Sequence, residues 1–500
     1  MSLEPGLGYP SAHGPILAFA RGGRGDCLRI VSVFLPEKET IVALATPVGT
    51  SAIAVVRASG PACATFARES FKRALQARRA HYEGYRMRDG SVLDDVLAIH
   101  FPAPASYTGE HVLEISCHGN PFVVRRLLED LCARGCRLAE PGEFTQRAFL
   151  NGRMDLSQAE AVMDVIQARS TRALAFAQRQ LQGALGRHLA VLNRELLDAL
   201  ARVEAYIDFP DEDLPAEDRE IVRAGVERAL DGTRRLLATR RYGEILRSGI
   251  RTVIVGAPNA GKSSLLNRIV GYERAIVSAE PGTTRDFIEE SVTIGDHAFR
   301  LTDTAGLNPN PGEVERQGIE KTYERMREAD LVLWVIDLTA PHPTLPAELA
   351  ALLRPETALK IGNKCDSVSP EDAARILAGV SEGESAPVAG LQSYGVSALS
   401  GQGIPEAMAA IGRIADAHRV ETGDESIAVN ARHAHALERA AVSLTAALEM
   451  FAPVSSGVAP APEFVASDLR EALAAFGEIS GKFDNERMLD RLFATFCIGK

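Results

Sequence analysis

Cysteine is scarce in this chain, seven residues in 500. So sparse and odd a set excludes a disulfide scaffold, and free thiols in a reducing cytoplasm are the plain reading. Cys132 and Cys136 are spaced for one helix face, but no second cysteine or histidine pair completes a zinc site. Long apolar runs are missing too. No 18 consecutive residues are apolar, so no transmembrane helix is read, and the first 20 residues lack the basic start and apolar run of an export signal. Positive charge is not in excess: 55 Lys and Arg against 66 Asp and Glu give a net charge of −11. That balance argues against coating nucleic acid through bulk attraction, while leaving room for a local basic patch. The densest such group, Arg234, Arg235, Arg240 and Arg241, reads as a solvated helix face.

What is present is ordinary globular composition, 46% hydrophobic and 24% charged, with length for two to four domains. Residues 1–37 are rich in Gly, Pro and Arg without a sustained period and read as a disordered extension. Residues 38–155 read as α+β, with TIVALA, SAIAVV and VLAIHF as strands and PFVVRRLLEDLCARG as an amphipathic helix ending on Gly135. Residues 156–248 read as helical. Ser157 with Glu160 fits a capping box there, and apolar residues recur at three and four spacing until FPDEDLPAEDRE breaks the run. Residues 249–415 alternate buried strands and helices, and residues 416–500 are helical again. Two helical blocks flanking a complete α/β unit predict an insertion, the helical halves packing together.

Within the α/β segment, GAPNAGKSS follows a strand and opens a helix, the context a phosphate loop requires. Backbone N–H groups of Asn259, Ala260, Gly261, Lys262, Ser263 and Ser264 would cradle phosphates at the helix N-terminus. Lys262 would reach the β- and γ-phosphates, and the Ser263 hydroxyl would ligate Mg2+, with Thr284 as a second ligand. Asp303, Thr304, Ala305 and Gly306 fit the magnesium-side, γ-phosphate-sensing loop. In Asn363-Lys364-Cys-Asp366, the aspartate can accept two hydrogen bonds that guanine offers and adenine does not, and Ser397-Ala398-Leu399 fits the loop on the other side of the base. Four motifs in order make GTP the ligand. Yet the position after DTAG, where many GTPases carry a water-orienting glutamine, is Leu307. Two features answer this. Asn259, with Ser278, Glu280 and Thr283 of SAEPGTTRD, can form an oxygen cage for a K+ ion that offsets developing negative charge. That run, Ser278-Ala279-Glu280-Pro281-Gly282-Thr283-Thr284, therefore joins the expected nucleotide site. Glu315 of PGEVERQG can position water.

These runs together resemble a known family. GAPNAGKSSLLN, PGTTRD, DTAG, EVER, NKCD and the closing FCIGK, with TIVALATPVGTSAIAVVRASG, SYTGEHVLEISCHGNP and PGEFTQRAFLNGRMDLSQAEA, resemble the tRNA-uridine modification GTPase family MnmE, also called TrmE. The likeness runs from about Glu39 to Lys500. It implies an N-terminal folate-binding and dimerising domain, a discontinuous helical domain and an inserted P-loop GTPase domain. It further implies a homodimer that joins the FAD-dependent partner MnmG in a heterotetramer, acts on tRNA in the cytoplasm, and installs a carboxymethylaminomethyl or aminomethyl group on C5 of the wobble uridine. The one-carbon unit would come from 5-formyl-tetrahydrofolate or a relative, and K+ would pair the GTPase domains and speed hydrolysis. By motif, Arg57, Glu114, Arg153 and Lys500 match folate-site positions, and Glu315 matches the glutamate thought to orient the attacking water. Asn120 stands where the family usually has a second glycine, and the loop after DTAG lacks a common arginine.

A cysteine four places from the end also raises prenylation. Ile, Gly and Lys after Cys497 fit no prenylation class, and no basic run precedes it. The resemblance instead brings Cys497 near the folate and the reaction centre, where a covalent role and simple helix-end packing stay open. The competing reading is a ribosome-assembly switch with no base-modifying role, although neither a GxxG-bearing RNA-binding appendage nor a second GTPase segment follows residue 415.

Overall fold

The computed structural model describes residues 39–208, 216–272, 289–303, 313–340, 347–382, 390–417, 427–451, 462–481, 489 and 492–499. The described chain forms two compact units. One runs from Met154 to Asn485; the other joins the residues before Met154 to those after Asn485.

The first unit is built on a six-stranded sheet. Its elements are β1 (Ile41–Leu44), β2 (Ile53–Ser59), α1 (Cys63–Glu69), β3 (His81–Arg86), β4 (Val92–Phe101), β5 (Val112–His118), α2 (Pro121–Ala133), β6 (Arg137–Leu138) and α3 (Glu143–Leu150). Strand order is β3-β4-β5-β2-β1-β6, antiparallel except for the β1–β6 pair. Alternation decides which face each residue serves. Ala54, Val56 and Ala58 of β2 turn inward with Leu113 and Ile115 of β5 to pack against Phe66 of α1 and Leu127 and Leu131 of α2. Arg57 and Glu114 face the other way. The expected amphipathic helix is α2, and Gly135 follows its end at φ +102°. Asn120 supplies the N-cap, its Oδ1 accepting from Phe122 N at 2.8 Å, so the residue in place of a second glycine starts the helix.

The second unit carries α4 (Leu156–Gln167), α5 (Thr171–Leu181), α6 (Ala184–Asp208), α7 (Ala216–Ala238) and α8 (Arg240–Ser248), then β7 (Ile250–Gly256), α9 (Lys262–Tyr272), β8 (Glu289–Ile294), β9 (His297–Asp303), α10 (Glu313–Glu328), β10 (Leu331–Asp337), α11 (Ala347–Ala350), β11 (Ala358–Asn363), α12 (Pro370–Glu382), β12 (Gln392–Gly395) and α13 (Ile404–Ala417), and finally α14 (Ala431–Glu449) and α15 (Pro462–Ser480). Helices before and after the α/β segment share one core: Leu192 and Leu196 of α6 and Val226 of α7 pack with Leu437 and Leu444 of α14 and Leu469 and Phe476 of α15. The helical domain is therefore discontinuous and the α/β domain inserted, as the sequence predicts.

The cap reading at α4 needs correction. The box is formed by Asp155 and Gln158, not by Ser157 and Glu160. Ser157 only donates to Asp155 at 2.6 Å. Glu160 packs against α14, with Oε1 accepting from Arg432 Nε and Oε2 facing His433 Nε2, both at 2.7 Å. The arginine group at α8 is also more than a solvated face, because Arg241 reaches the buried Asp330 carboxylate and Arg240 pairs with Glu438 at 3.3 Å.

Candidate functional site

In the inserted domain the sheet order is β12-β11-β10-β7-β9-β8, parallel except for the β8–β9 hairpin. The expected motifs follow the carboxyl ends of its strands, where open α/β sheets bind ligands. The phosphate loop follows β7, Asp303 ends β9, Asn363 ends β11 and Ser397 follows β12. Close approach fixes the loop's glycines. A Cβ on Gly256 would lie 2.2 Å from Val335 O, and one on Gly261 would lie 2.2 Å from Asn363 Nδ2. Gly261 and Asn259 both take left-handed backbone, at φ +89° and +63°.

Lys262 is buried at the start of α9, and its Nζ donates to Gly256 O at 3.2 Å and Ala257 O at 3.0 Å. Burial pulls its ammonium below the usual lysine range, and the Asp303 charge only partly opposes this. An ammonium so placed gains from an anion in the loop. The Ser263 hydroxyl donates to Asp303 Oδ2, while Asp303 Oδ1 is buried with no partner among the described residues. A hydroxyl, a carboxylate and an orphaned carboxylate oxygen make a hard-oxygen set that fits Mg2+.

Asn363 joins two of the motifs. Its Nδ2 donates to Ala260 O of the phosphate loop at 2.9 Å, and its Oδ1 accepts from Ala398 N at 3.0 Å. Lys364 takes φ +66° and pairs with Asp337 Oδ2 at 2.5 Å. Asp366 is exposed, its carboxyl held below the usual range by a hydrogen bond from Ser397. Arg268 of α9 pins the Ala398-Leu399 segment from behind, donating to both carbonyls, to Ala398 O at 2.7 Å. Arg268 and Asp337 escaped the sequence reading because neither belongs to a spaced motif.

Ser264 is exposed on the first turn of α9. Ser278, Ala279, Glu280, Pro281, Gly282, Thr283, Thr284, Thr304, Ala305, Gly306 and Lys500 lie outside the described residues, as does the Glu315 side chain, although its backbone is in α10.

In the first unit, Arg57 and Glu114 are cross-strand neighbours, and Arg57 Nε donates to Glu114 Oε1 at 2.8 Å. Arg57 also donates to Gly499 O at 3.1 Å. The C-terminal tail thus returns to the sheet 442 residues away in sequence. Phe493 and Phe496 are buried, and Gly142 N donates to Cys497 O at 3.4 Å while Cys497 itself is exposed. The Arg57 guanidinium lies 5.7 Å from the Tyr107 ring centre. Tyr107 in turn lines a cavity of about 390 Å³ with Arg78, Phe101, Ala105, Ser106 and Arg153. Tyr107 links Arg57 with the Arg153 cavity, a link that residue spacing does not reveal.

Residues 40–153 match the family model described as GTP-binding protein TrmE N-terminus, and residues 156–497 match that of the MnmE helical domain. The chain belongs to the MnmE family. The tRNA modification GTPase MnmE of Opitutus terrae is 54% identical over 93% of this chain and 100% of its own length. Its counterpart in Akkermansia muciniphila is 44% identical over 93% and 99% of the two chains. That of Chlorobium chlorochromatii is 41% identical over 93% and 98%. The MnmE match therefore spans both units. No helix among the described residues is long and apolar enough to cross a membrane.

Proposed function

We propose that this chain is the GTP-hydrolysing subunit of a complex that adds a carboxymethylaminomethyl or aminomethyl group to C5 of the tRNA wobble uridine, with a tetrahydrofolate as one-carbon source. Membership of the MnmE family makes it a GTPase acting in tRNA modification. The tail supports the finer reading: Gly499 and Glu114 hold Arg57 beside Tyr107, and Tyr107 lines a cavity together with Arg78 and Arg153. The cavity volume lies in the range of small-molecule sites. Cations there suit the glutamate carboxylates of a folate, and Glu114 suits the paired donors of a pterin. In this reading Arg57, Glu114, Arg153 and Lys500 hold 5-formyl-tetrahydrofolate or a relative, and Cys497 lies near the reaction centre.

In the inserted domain, Lys262 and the loop amides hold the GTP phosphates, Asp366 reads guanine, and Ser263 with Asp303 and Thr284 holds Mg2+, which shields the phosphate charge. Asn259, Ser278, Glu280 and Thr283 hold K+, and Glu315 orients the attacking water. The open sheet face of the first unit, with Ile53 62%, Tyr82 73% and Leu97 42% exposed, supports a homodimer through that domain. The FAD-dependent MnmG is the proposed partner, in the cytoplasm. The test is GTP turnover in potassium chloride against sodium chloride at equal ionic strength, for the parent, Asn259→Ala and Glu315→Ala. Strong potassium activation, lost in the Asn259 variant, is expected. A rate indifferent to the cation would assign the missing catalytic help to an external activator.

A further inference from the structure

The chain carries a net charge of −11, yet one segment of the first unit runs against it. Between α1 and β3, residues 68–79 hold five cations, Arg68, Lys72, Arg73, Arg78 and Arg79, and one acid, Glu69. Five minus one leaves a local excess of four charges. All five are exposed. Among the described residues, their side chains meet neutral groups: Arg78 Nη1 donates to Ala105 O at 3.0 Å, and Arg79 Nη1 to Gln76 Oε1 at 2.9 Å. Other exposed arginines of the unit do meet carboxylates, as Arg125 meets Glu129 and Arg137 meets Glu39.

The segment is held rather than loose. Phe71 and Leu75 are buried in the core, Leu75 N donates to Ala67 O at 3.0 Å, and Arg86 N donates to Ser70 O at 2.9 Å. Ala77 bridges to His100 beside the end of β4, and Arg78 N donates to His100 O at 2.8 Å. Arg78 takes φ +59°, a costly conformation for a side chain of its size. It lines the same cavity as Tyr107 and Arg153. A cationic rim on a fixed frame thus borders the pocket proposed for the one-carbon donor.

We infer that residues 68–79 form a phosphate-backbone contact for the RNA substrate, delivering it across the rim of the Arg153 cavity. The inference rests on the proposed tRNA and folate reading. Guanidinium and ammonium groups that meet no carboxylate among the described residues, on an otherwise acidic chain, suit a polyanion, and phosphate contacts position RNA without reading its sequence. The bordering cavity favours RNA over other polyanions, because the acceptor base has to approach the carbon donor.

The test is binding of a wobble-uridine tRNA to the full chain across a salt series, for the parent and for the triple variant Lys72→Ala/Arg73→Ala/Arg79→Ala. A charge-matched triple, Arg202→Ala/Arg228→Ala/Arg470→Ala, separates local from bulk charge, and thermal midpoints show that each variant folds. Losing three phosphate contacts flattens the slope of log K against log salt by about 2 to 3, which at about 0.1 M salt is about a hundredfold weaker binding. That loss, confined to the loop variant, is the expected result. Equal binding by the loop variant and the parent would overturn the inference, as would equal losses in both triples. Vesicles containing phosphatidylserine that bind the parent but not the loop variant, with tRNA binding unchanged, would reassign the loop to membranes and overturn it too. A parent chain that binds no tRNA would sink the underlying reading as well, which the salt series on the parent shows separately.

Discussion

Asn363 is the residue whose loss should separate the two halves of the nucleotide site. It is 2% exposed, and its amide bridges Ala260 O and Ala398 N. Asn363→Ala leaves both groups without that partner, in a place where both residues are buried. Each orphaned buried group costs about 1–3 kcal/mol. In the free protein the two loops can relax toward water, but a bound guanine nucleotide requires them back, so the cost returns as lost affinity. At the low end of about 1 kcal/mol for each group the sum is about 2 kcal/mol, about thirtyfold in Kd. A fluorescent GTP analogue titrated against parent and variant measures this directly. Arg268→Ala tests the same coupling from behind, because Arg268 holds the Ala398 and Leu399 carbonyls. The double variant should lose less than the sum of the singles, since the first change already frees the segment. Asn363→Ala binding within threefold of the parent would refute the bridging role.

Three further predictions rest on other parts of the molecule. Burial alone would raise the Glu160 carboxyl, but His433 and Arg432 pull it well below its ordinary 4.5; burial holds His433 below its ordinary 6.5 against the pull of Glu160. In both cases the unfolded chain binds more protons, so stability begins to fall as pH drops below about 6.5 and falls further below about 4.5. His433→Gln should shrink that loss between pH 7 and pH 5 in urea melts, and an unchanged pH dependence would count against the cluster. Gly499→Ala would place a Cβ 2.4 Å from Leu44 O at φ +93°, forcing the tail off β1. Losing the Gly499 contact to Arg57 should then weaken 5-formyl-tetrahydrofolate binding about tenfold by calorimetry, the worth of one charged hydrogen bond; parent-like affinity would detach the tail from the site. Iodoacetamide should modify exposed Cys497 well before buried Cys63 and Cys117, whose thiols burial pushes up, Cys117 to about 11. Equal labelling in a timed mass-spectrometric series would contradict that packing.

Local patterns were legible in the sequence; distant pairings were not. β1, β2 and β4 stand where the apolar runs put them and α2 where the 3.6-residue period does, because burial writes itself into nearby residues. The nucleotide motifs were legible because each carries its own spacing. The capping box was misplaced because Ser157 and Asp155 are both competent caps, and Asp155 wins by accepting from Gln158 N at 2.9 Å. Glu160 then meets Arg432, 272 residues away. Nothing local marks that partner, nor the return of Gly499 to Arg57. Charge density in the sequence singles out the arginines of α7 and α8 over the cations of residues 68–79, since sequence shows where charge is dense but not where it is neutralised.

The most direct test of the proposed chemistry is the nucleoside content of tRNA from a strain lacking this chain, measured by mass spectrometry. The proposal predicts loss of the C5 carboxymethylaminomethyl or aminomethyl group at the wobble uridine, restored by the parent chain but not by Lys262→Ala. Intact modification in the deletion strain would contradict it.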